Sequence, residues 1–372
     1  MSDTRPKILF CIHMPPPVHG AAMMGQYIRG SKLINESFEC KYVNIAMASN
    51  IDDIGRGGLK KVARFISVLK TIRNTIAEFQ PDVVYVTPAA AGPAFYKDYI
   101  MVQRIKQLCN NVVLHYHNKG VYKNSSKWYN RRLYIRFFKN VRVILLSESL
   151  YQDIALYVPH NKIMICPNGI PDINIQGGSV AENGKFQVLF LTNLIRSKGI
   201  ITLLDACALL NHKNFQCYIA GAPGDVSVTQ LKEEIQRRNI QDMVTYVGEV
   251  NTEQKIGLFS RADVFVLPTE NDCFPLVLLE AMRSGVPCVT TDVGAISDII
   301  RNGGNGWIVE KRNPVALAER INWMFEHPEV NGQLGLNARC VYEKNFTLEC
   351  FENRMRIVLL HALVKFDENY TR

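Results

Sequence analysis

The chain has 372 residues, 47% hydrophobic and 21% charged, a globular composition whose length calls for two domains rather than one core. Ten cysteines without a CxxC pair or metal-type Cys/His spacing exclude a disulfide frame and read as small buried hydrophobes in a reducing cytosol. No apolar run reaches about 18 residues, which predicts neither a membrane crossing nor export. The net charge of +9 is uneven: 23 Lys and Arg stand against 11 Asp and Glu in residues 1–180, and 20 against 23 in residues 181–372. The first half is therefore expected to face something anionic.

In the first half, β-branched apolar runs predict strands near 7–13, 40–45, 82–87, 111–116, 142–146 and 163–166. The first strand opens into a proline-stiffened loop, His13 to His19, and a helix beginning at Gly20-Ala21, where small residues let a phosphate approach the backbone. No G-x-G-x-x-G follows that strand, which counts against a dinucleotide dehydrogenase. Strand alternation sends His115 and His117 to one face, and His117, at the carboxyl end beside Asn118 and Gly120, is the candidate to touch substrate.

Cations cluster at Lys60, Lys61, Arg64, Lys70 and Arg73, and again from Lys123 to Arg142, where Trp128, Tyr129, Tyr134, Phe137 and Phe138 interleave them. On a helix over about 126–140 that pattern fits either an anionic membrane surface or a solvated face above an ordinary core stripe. No nucleic-acid module accompanies the charge, so nucleic acid is not expected as a partner.

The polar, glycine-rich segment 175–184 reads as the linker between two doubly wound α/β domains, 1–176 and 185–346. The second half repeats the pattern, with strands expected near 186–192, 215–221, 243–247, 263–267, 287–290 and 307–309. After its first strand come Asn193, Arg196 and Lys198 and a helix starting near Gly199, a combination of cations and free amides suited to a diphosphate. Pro167-Asn168-Gly169 and Gly221-Ala222-Pro223-Gly224 read as architectural turns. The apolar run ending at Pro268 places Asp272 past a strand's carboxyl end, where open α/β sheets bind ligands. The helical spacing from Phe274 to Ser284 puts Glu280 about two turns in, with amides around Phe274, Pro275 and Leu276 free at its start. A last helical pattern, about Leu348 to Lys365 within 347–372, has the option of packing on the first domain.

The order of the Pro-Pro loop with Gly20, strand-end His117, the CPNGI turn at 166–170, the IRSKGI segment, the YIAGAPGD strand end, YVGEV at 246–250 and LLEAMRSGVP after Asp272 resembles family 4 of the retaining glycosyltransferases along nearly the whole chain. The resemblance implies a GT-B fold: two Rossmann-like domains facing a central cleft, acceptor mainly on the first and donor nucleotide mainly on the second. It implies a nucleotide-diphosphate-sugar co-substrate, no cofactor and no metal. Glu280 would then hold ribose hydroxyls, Asp272 the donor sugar's hydroxyls and Lys198 the diphosphate, with Gly248 to Val250 near the base and His117 positioning sugar or acceptor.

Two departures stand out. Asp272 replaces the usual glutamate, and Asn193 replaces an arginine five positions before the lysine, a cation that Arg196 is placed to supply. The expected acceptor is a glycan or lipid-linked glycan in cell-surface polysaccharide biosynthesis, handled in the cytoplasm or on the inner face of the membrane. A sugar-nucleotide epimerase of the same fold and a non-catalytic nucleotide-sugar-binding subunit remain alternatives.

Overall fold

Runs such as Val83–Val86, Val264–Leu267 and Cys288–Thr291 are buried along their whole length, the signature of strands covered by helices on both faces. A computed structural model describes residues 5–16, 18–46, 59–173, 184–210 and 215–364. The expected linker 175–184 lies outside these apart from Gly184.

The first unit comprises residues 1–168 and 348–372. Its sheet contains β1 (Lys7–Ile12), β2 (Glu39–Asn44), β3 (Val83–Val86), β4 (Val112–His115), β5 (Arg142–Leu145) and β6 (Ile163–Ile165), all parallel, in the order β2-β1-β3-β4-β5-β6. Its helices are α1 (Gly20–Gly30), α2 (Lys32–Ser37), α3 (Leu59–Phe79), α4 (Gly92–Lys106), the single turn α5 (Val121–Asn124) and α6 (Trp128–Phe138). The second unit, Gly169–Thr347, holds β7 (Phe186–Leu191), β8 (Phe215–Ala220), β9 (Val244–Gly248), β10 (Val264–Leu267), β11 (Cys288–Thr291) and β12 (Gly306–Val309), again parallel, in the order β12-β11-β10-β7-β8-β9. It carries α7 (Ile200–Leu209), α8 (Val228–Arg237), α9 (Thr252–Arg261), α10 (Leu276–Arg283), the short α11 (Ile296–Ile299), α12 (Pro314–Glu326) and α13 (Pro328–Asn345); α14 (Leu348–Leu363) returns to the first unit.

In each sheet the strand order reverses once, between β1 and β3 and between β7 and β10. There the connections leave to opposite sides and open a crevice beyond the carboxyl ends.

The division falls at Asn168/Gly169 rather than at 176, for a local reason. Ile170 N donates to Phe346 O (3.0 Å), Tyr342 Oη to Ile170 O (3.0 Å), Arg283 to Pro171 O (3.0 Å), and Arg339 grips Asp172 with two nitrogens at 2.8 Å, so residues 170–172 are tied into the second unit before the polar segment begins. The return is equally anchored. Asn111 Nδ2 donates to Ala362 O (2.8 Å), the Arg142 guanidinium reaches Ala362 O and Val364 O, and α14 packs on α2.

Candidate functional site

In the second unit, β7 and β10 meet at the strand-order reversal, and the loops leaving their carboxyl ends are stitched together by one carbonyl. Ser197 O accepts from Glu270 N (2.8 Å), Asn271 N (3.3 Å) and Thr269 Oγ1 (3.0 Å). So close an approach requires Gly199, whose φ is +87° and where a Cβ would fall 2.1 Å from Pro268 O. Held this way, Lys198 Nζ forms an ion pair with Asp272 Oδ2, while Asp272 Oδ1 accepts from Cys273 N at 2.8 Å. Gly294, with φ +65°, lets the loop after β11 pass under the same turn, where a Cβ would lie 2.4 Å from Asp272 O, and Ala295 N donates to Cys273 O (2.8 Å).

Helix α10 starts later than its apolar spacing predicts, at Leu276, because Phe274 precedes a proline and is pushed out of helical conformation. Pro275 is the N-cap, contributes no N–H, and no side chain caps the amides that follow. The Phe274 side chain is buried against Phe346, ring centroids 6.0 Å apart, so its side chain packs the core. One turn further on, Glu280 Oε1 takes a hydrogen bond from Lys255 Nζ at 2.8 Å. Lys255 projects from α9, a helix whose start is held by the Asn251/Gln254 capping box. Sequence reasoning missed Lys255: a lysine in a polar helix carries no local mark, and only the fold brings it to Glu280. Four further candidates lie in the same unit. Asn193 and Arg196 are exposed, Arg196 N being fixed by Asp225 Oδ1 (2.7 Å). Gly248 ends β9 at φ +94° with open space where a Cβ would stand, its carbonyl taking Gly221 N (2.8 Å), and Val250 is half-buried just beyond.

In the first unit the reversal gathers histidines. His13 follows β1 and sits against Thr87, which follows β3: Thr87 Oγ1 lies 3.2 Å from His13 Nδ1. His19 caps α1, its Nδ1 accepting from Ala22 N at 3.3 Å, so an amide beside exposed Gly20 is already partnered. His117 follows β4; the residue as a whole is half-buried, yet both ring nitrogens are shut off from solvent and make no hydrogen bond of good geometry among the described residues, nor does Oδ1 of buried Asn168. Burial pushes His117 down to about 4, with His19 adding to the shift and the Asn168 side chain opposing it. Burial, then the charges of Lys97, His19 and His117, drives His13 down to about 3. His115 is wholly enclosed, bonded through Nδ1 to Tyr85 Oη (2.5 Å) and held far below its usual range by burial. It is an interior group. The turn after His117 is closed by Asp153, whose carboxylate accepts from the amides of Gly120, Val121 and Tyr122 at 2.8 to 3.0 Å, a cap that sequence spacing does not announce. Among the described residues no three His, Cys, Asp or Glu are grouped to hold a metal ion.

Residues 173–341 match the family of glycosyl transferases group 1, and residues 49–172 match glycosyltransferase family 4. The chain belongs to the group 1 glycosyltransferases. Its fold is GT-B: the chain resembles an Anabaena protein solved in complex with UDP-glucose, with a TM-score of 0.73 and 18% identity over 95% of this chain and 99% of that one. An uncharacterized glycosyltransferase of Methanocaldococcus jannaschii is 29% identical over 245 residues, 60% of this chain and 61% of the relative. An amylovoran biosynthesis glycosyltransferase of Erwinia amylovora is 27% identical over 252 residues, 64% of this chain and 60% of the relative. Matches to the first curated relatives cover between 35% and 61% of those proteins' own length.

Proposed function

We propose that this glycosyltransferase moves a sugar from a nucleoside-diphosphate sugar to a hydroxyl of a glycan or lipid-linked glycan, with retention at the anomeric carbon and without a metal. The observation that carries the reading is the pair of lysine–carboxylate contacts, Lys198 with Asp272 and Lys255 with Glu280, assembled at the β7/β10 reversal. Each contact pairs a cation with a hydroxyl acceptor. A donor would divide them, its diphosphate taking Lys198 and the α10 amides while sugar hydroxyls take Asp272 and ribose hydroxyls take Glu280.

As the glycosidic bond to the diphosphate breaks, negative charge grows on the leaving oxygen and positive charge on the sugar ring. Lys198 and the uncapped α10 start stabilise the first by fixed electrostatics. The acceptor hydroxyl approaches the face the diphosphate leaves and gives its proton to the departing oxygen, so no dedicated base is required. Asp272, one methylene shorter than glutamate, sets the depth of the sugar. Arg196 stands two residues before Lys198 and supplies the cation that Asn193 does not. His117, neutral at physiological pH, serves as a hydrogen-bonding group for sugar or acceptor rather than as a nucleophile. The relative in amylovoran biosynthesis supports a place in polysaccharide assembly, and the expected setting is the cytoplasm or the inner face of the membrane. Among the described residues no helix is long and apolar enough to cross a membrane.

The test is mass spectrometry of products from a panel of nucleotide sugars with and without glycan acceptors, with NMR of the new linkage and a parallel reaction in chelator. The reading predicts acceptor-dependent transfer, the donor's anomeric configuration retained, and no effect of chelator. Conversion of the donor alone would instead identify an epimerase, and binding without turnover a non-catalytic subunit.

A further inference from the structure

The chain's excess of positive charge has a definite address. β2 to β5 advance across the sheet in one direction, and right-handed crossovers place the helices of those connections, α3, α4, α5 and α6, side by side on one face. Their packing agrees: α3 contacts α4, α4 contacts α6, and α5 contacts α6, whereas α2 lies against α14. Residues 59–79, 92–106 and 121–139 together hold fourteen Lys and Arg and two acidic residues, Glu78 and Asp98. Asp98 is wholly buried, bonded to Ala89 N and Lys97, so it offsets little of the charge at the surface.

The α6 sequence resolves into two stripes. Asn130, Tyr134, Phe137 and Phe138 turn inward and are buried. The outward stripe runs Trp128, Arg131, Arg132, Ile135, Arg136 and Lys139, with Trp128 68% and Ile135 57% exposed and the Arg132 guanidinium 5.1 Å from the Trp128 ring centroid. Neighbouring helices continue the pattern with exposed Tyr122 on α5, Ile100 on α4 and Ile66 on α3. A core stripe accounts for the inner residues and leaves the outer aromatic and aliphatic groups unexplained. Large apolar side chains set among cations at helical spacing suit a bilayer interface, where rings and aliphatic groups enter the headgroup layer and cations meet anionic lipid.

We propose that the α3–α4–α5–α6 face of the first unit docks on an anionic lipid bilayer, with the outer stripe of α6 as its principal contact. The proposal does not rest on the transferase reading, and its test requires no donor or acceptor, so either can fail without the other.

Co-sedimentation of the full chain with vesicles of phosphatidylcholine alone, or mixed with phosphatidylglycerol, reads the affinity directly. Binding is expected to the mixed vesicles only, and to weaken as salt is raised. Reversing charge at three exposed positions, Arg131→Glu, Arg132→Glu and Arg136→Glu, removes three cations worth about a factor of five each and predicts on the order of a hundred-fold weaker binding. Trp128→Ser with Ile135→Ser should also release the protein from vesicles while leaving its retention on heparin unchanged. Far-UV circular dichroism, unchanged in both variants, verifies that they are folded. Equal binding to neutral vesicles, absence of binding, or indifference to the charge reversal overturns the proposal. If the Trp128/Ile135 variant still binds mixed vesicles as the parent does, the face is one for soluble polyanions, nucleic acid included, and the membrane assignment falls.

Discussion

Acidification should loosen the first unit through its buried histidines, and replacing His117 should remove a calculable part of that loss. Free histidine titrates near 6.5, whereas burial holds His117 at about 4 and His13 at about 3. Between those values and 6.5 the unfolded chain binds more protons than the folded one, so stability is fully present above 6.5 and falls as pH drops through the window. For one ring shifted from 6.5 to about 4, moving from about pH 7.5 to about pH 5 lowers the unfolding free energy by roughly 2 kcal/mol. His13 adds a loss of the same order, and His115, enclosed and displaced in the same direction, contributes further. Urea unfolding followed by fluorescence of Trp128, which lies in the same unit, with Trp307 and Trp323 replaced by Phe, isolates the relevant transition. His117→Asn should shrink the difference between the two pH values by about 2 kcal/mol, since asparagine binds no proton. A pH dependence identical in parent and variant would refute the claim that His117 is held neutral by burial.

Gly199→Ala should cost about 2 kcal/mol or more in urea unfolding of the second unit, because the residue sits at φ +87° and its Cβ would meet Pro268 O at 2.1 Å; stability equal to the parent's would show that the loop is not pinned as described. Tyr85→Phe removes the partner of enclosed His115 Nδ1 and should destabilise the first unit by about 1–3 kcal/mol, measured by the Trp128 transition. Arg196→Ala should weaken binding of a nucleoside diphosphate about ten-fold, roughly 1.4 kcal/mol, by calorimetric titration; an unchanged dissociation constant would leave the cation missing at Asn193 without a replacement.

The strands were legible because parallel sheets buried on both faces demand near-continuous apolar runs, and segments such as Val83–Val86 and Val188–Leu191 contain nothing else. Lys198 and Asp272 were legible for a related reason: a polar loop directly after such a run must lie at a carboxyl end of the sheet. What escaped depends on tertiary geometry. Lys255 reaches Glu280 across 25 positions in sequence, and Asp153 reaches the amides at 120–122 across about 30. The crossing at Asn168/Gly169 was obscured because the glycine-rich segment at 175–184 is the louder local signal, while the tie that places Ile170 in the second unit comes from Phe346 and Tyr342, far along the chain. The two stripes of α6 share one helical period, and only packing separates inward Tyr134 from outward Ile135.

The proposed transfer requires Lys198, Asp272 and Glu280 to grip a nucleoside diphosphate and its sugar. Calorimetric titration of the parent, Lys198→Ala and Glu280→Ala with a panel of nucleoside diphosphates addresses it directly. Loss of a charge-assisted contact at either position predicts affinity lower by about ten-fold or more for the preferred nucleotide, with the fold retained. Parent-like affinity in either variant would contradict the assignment of the donor to this site.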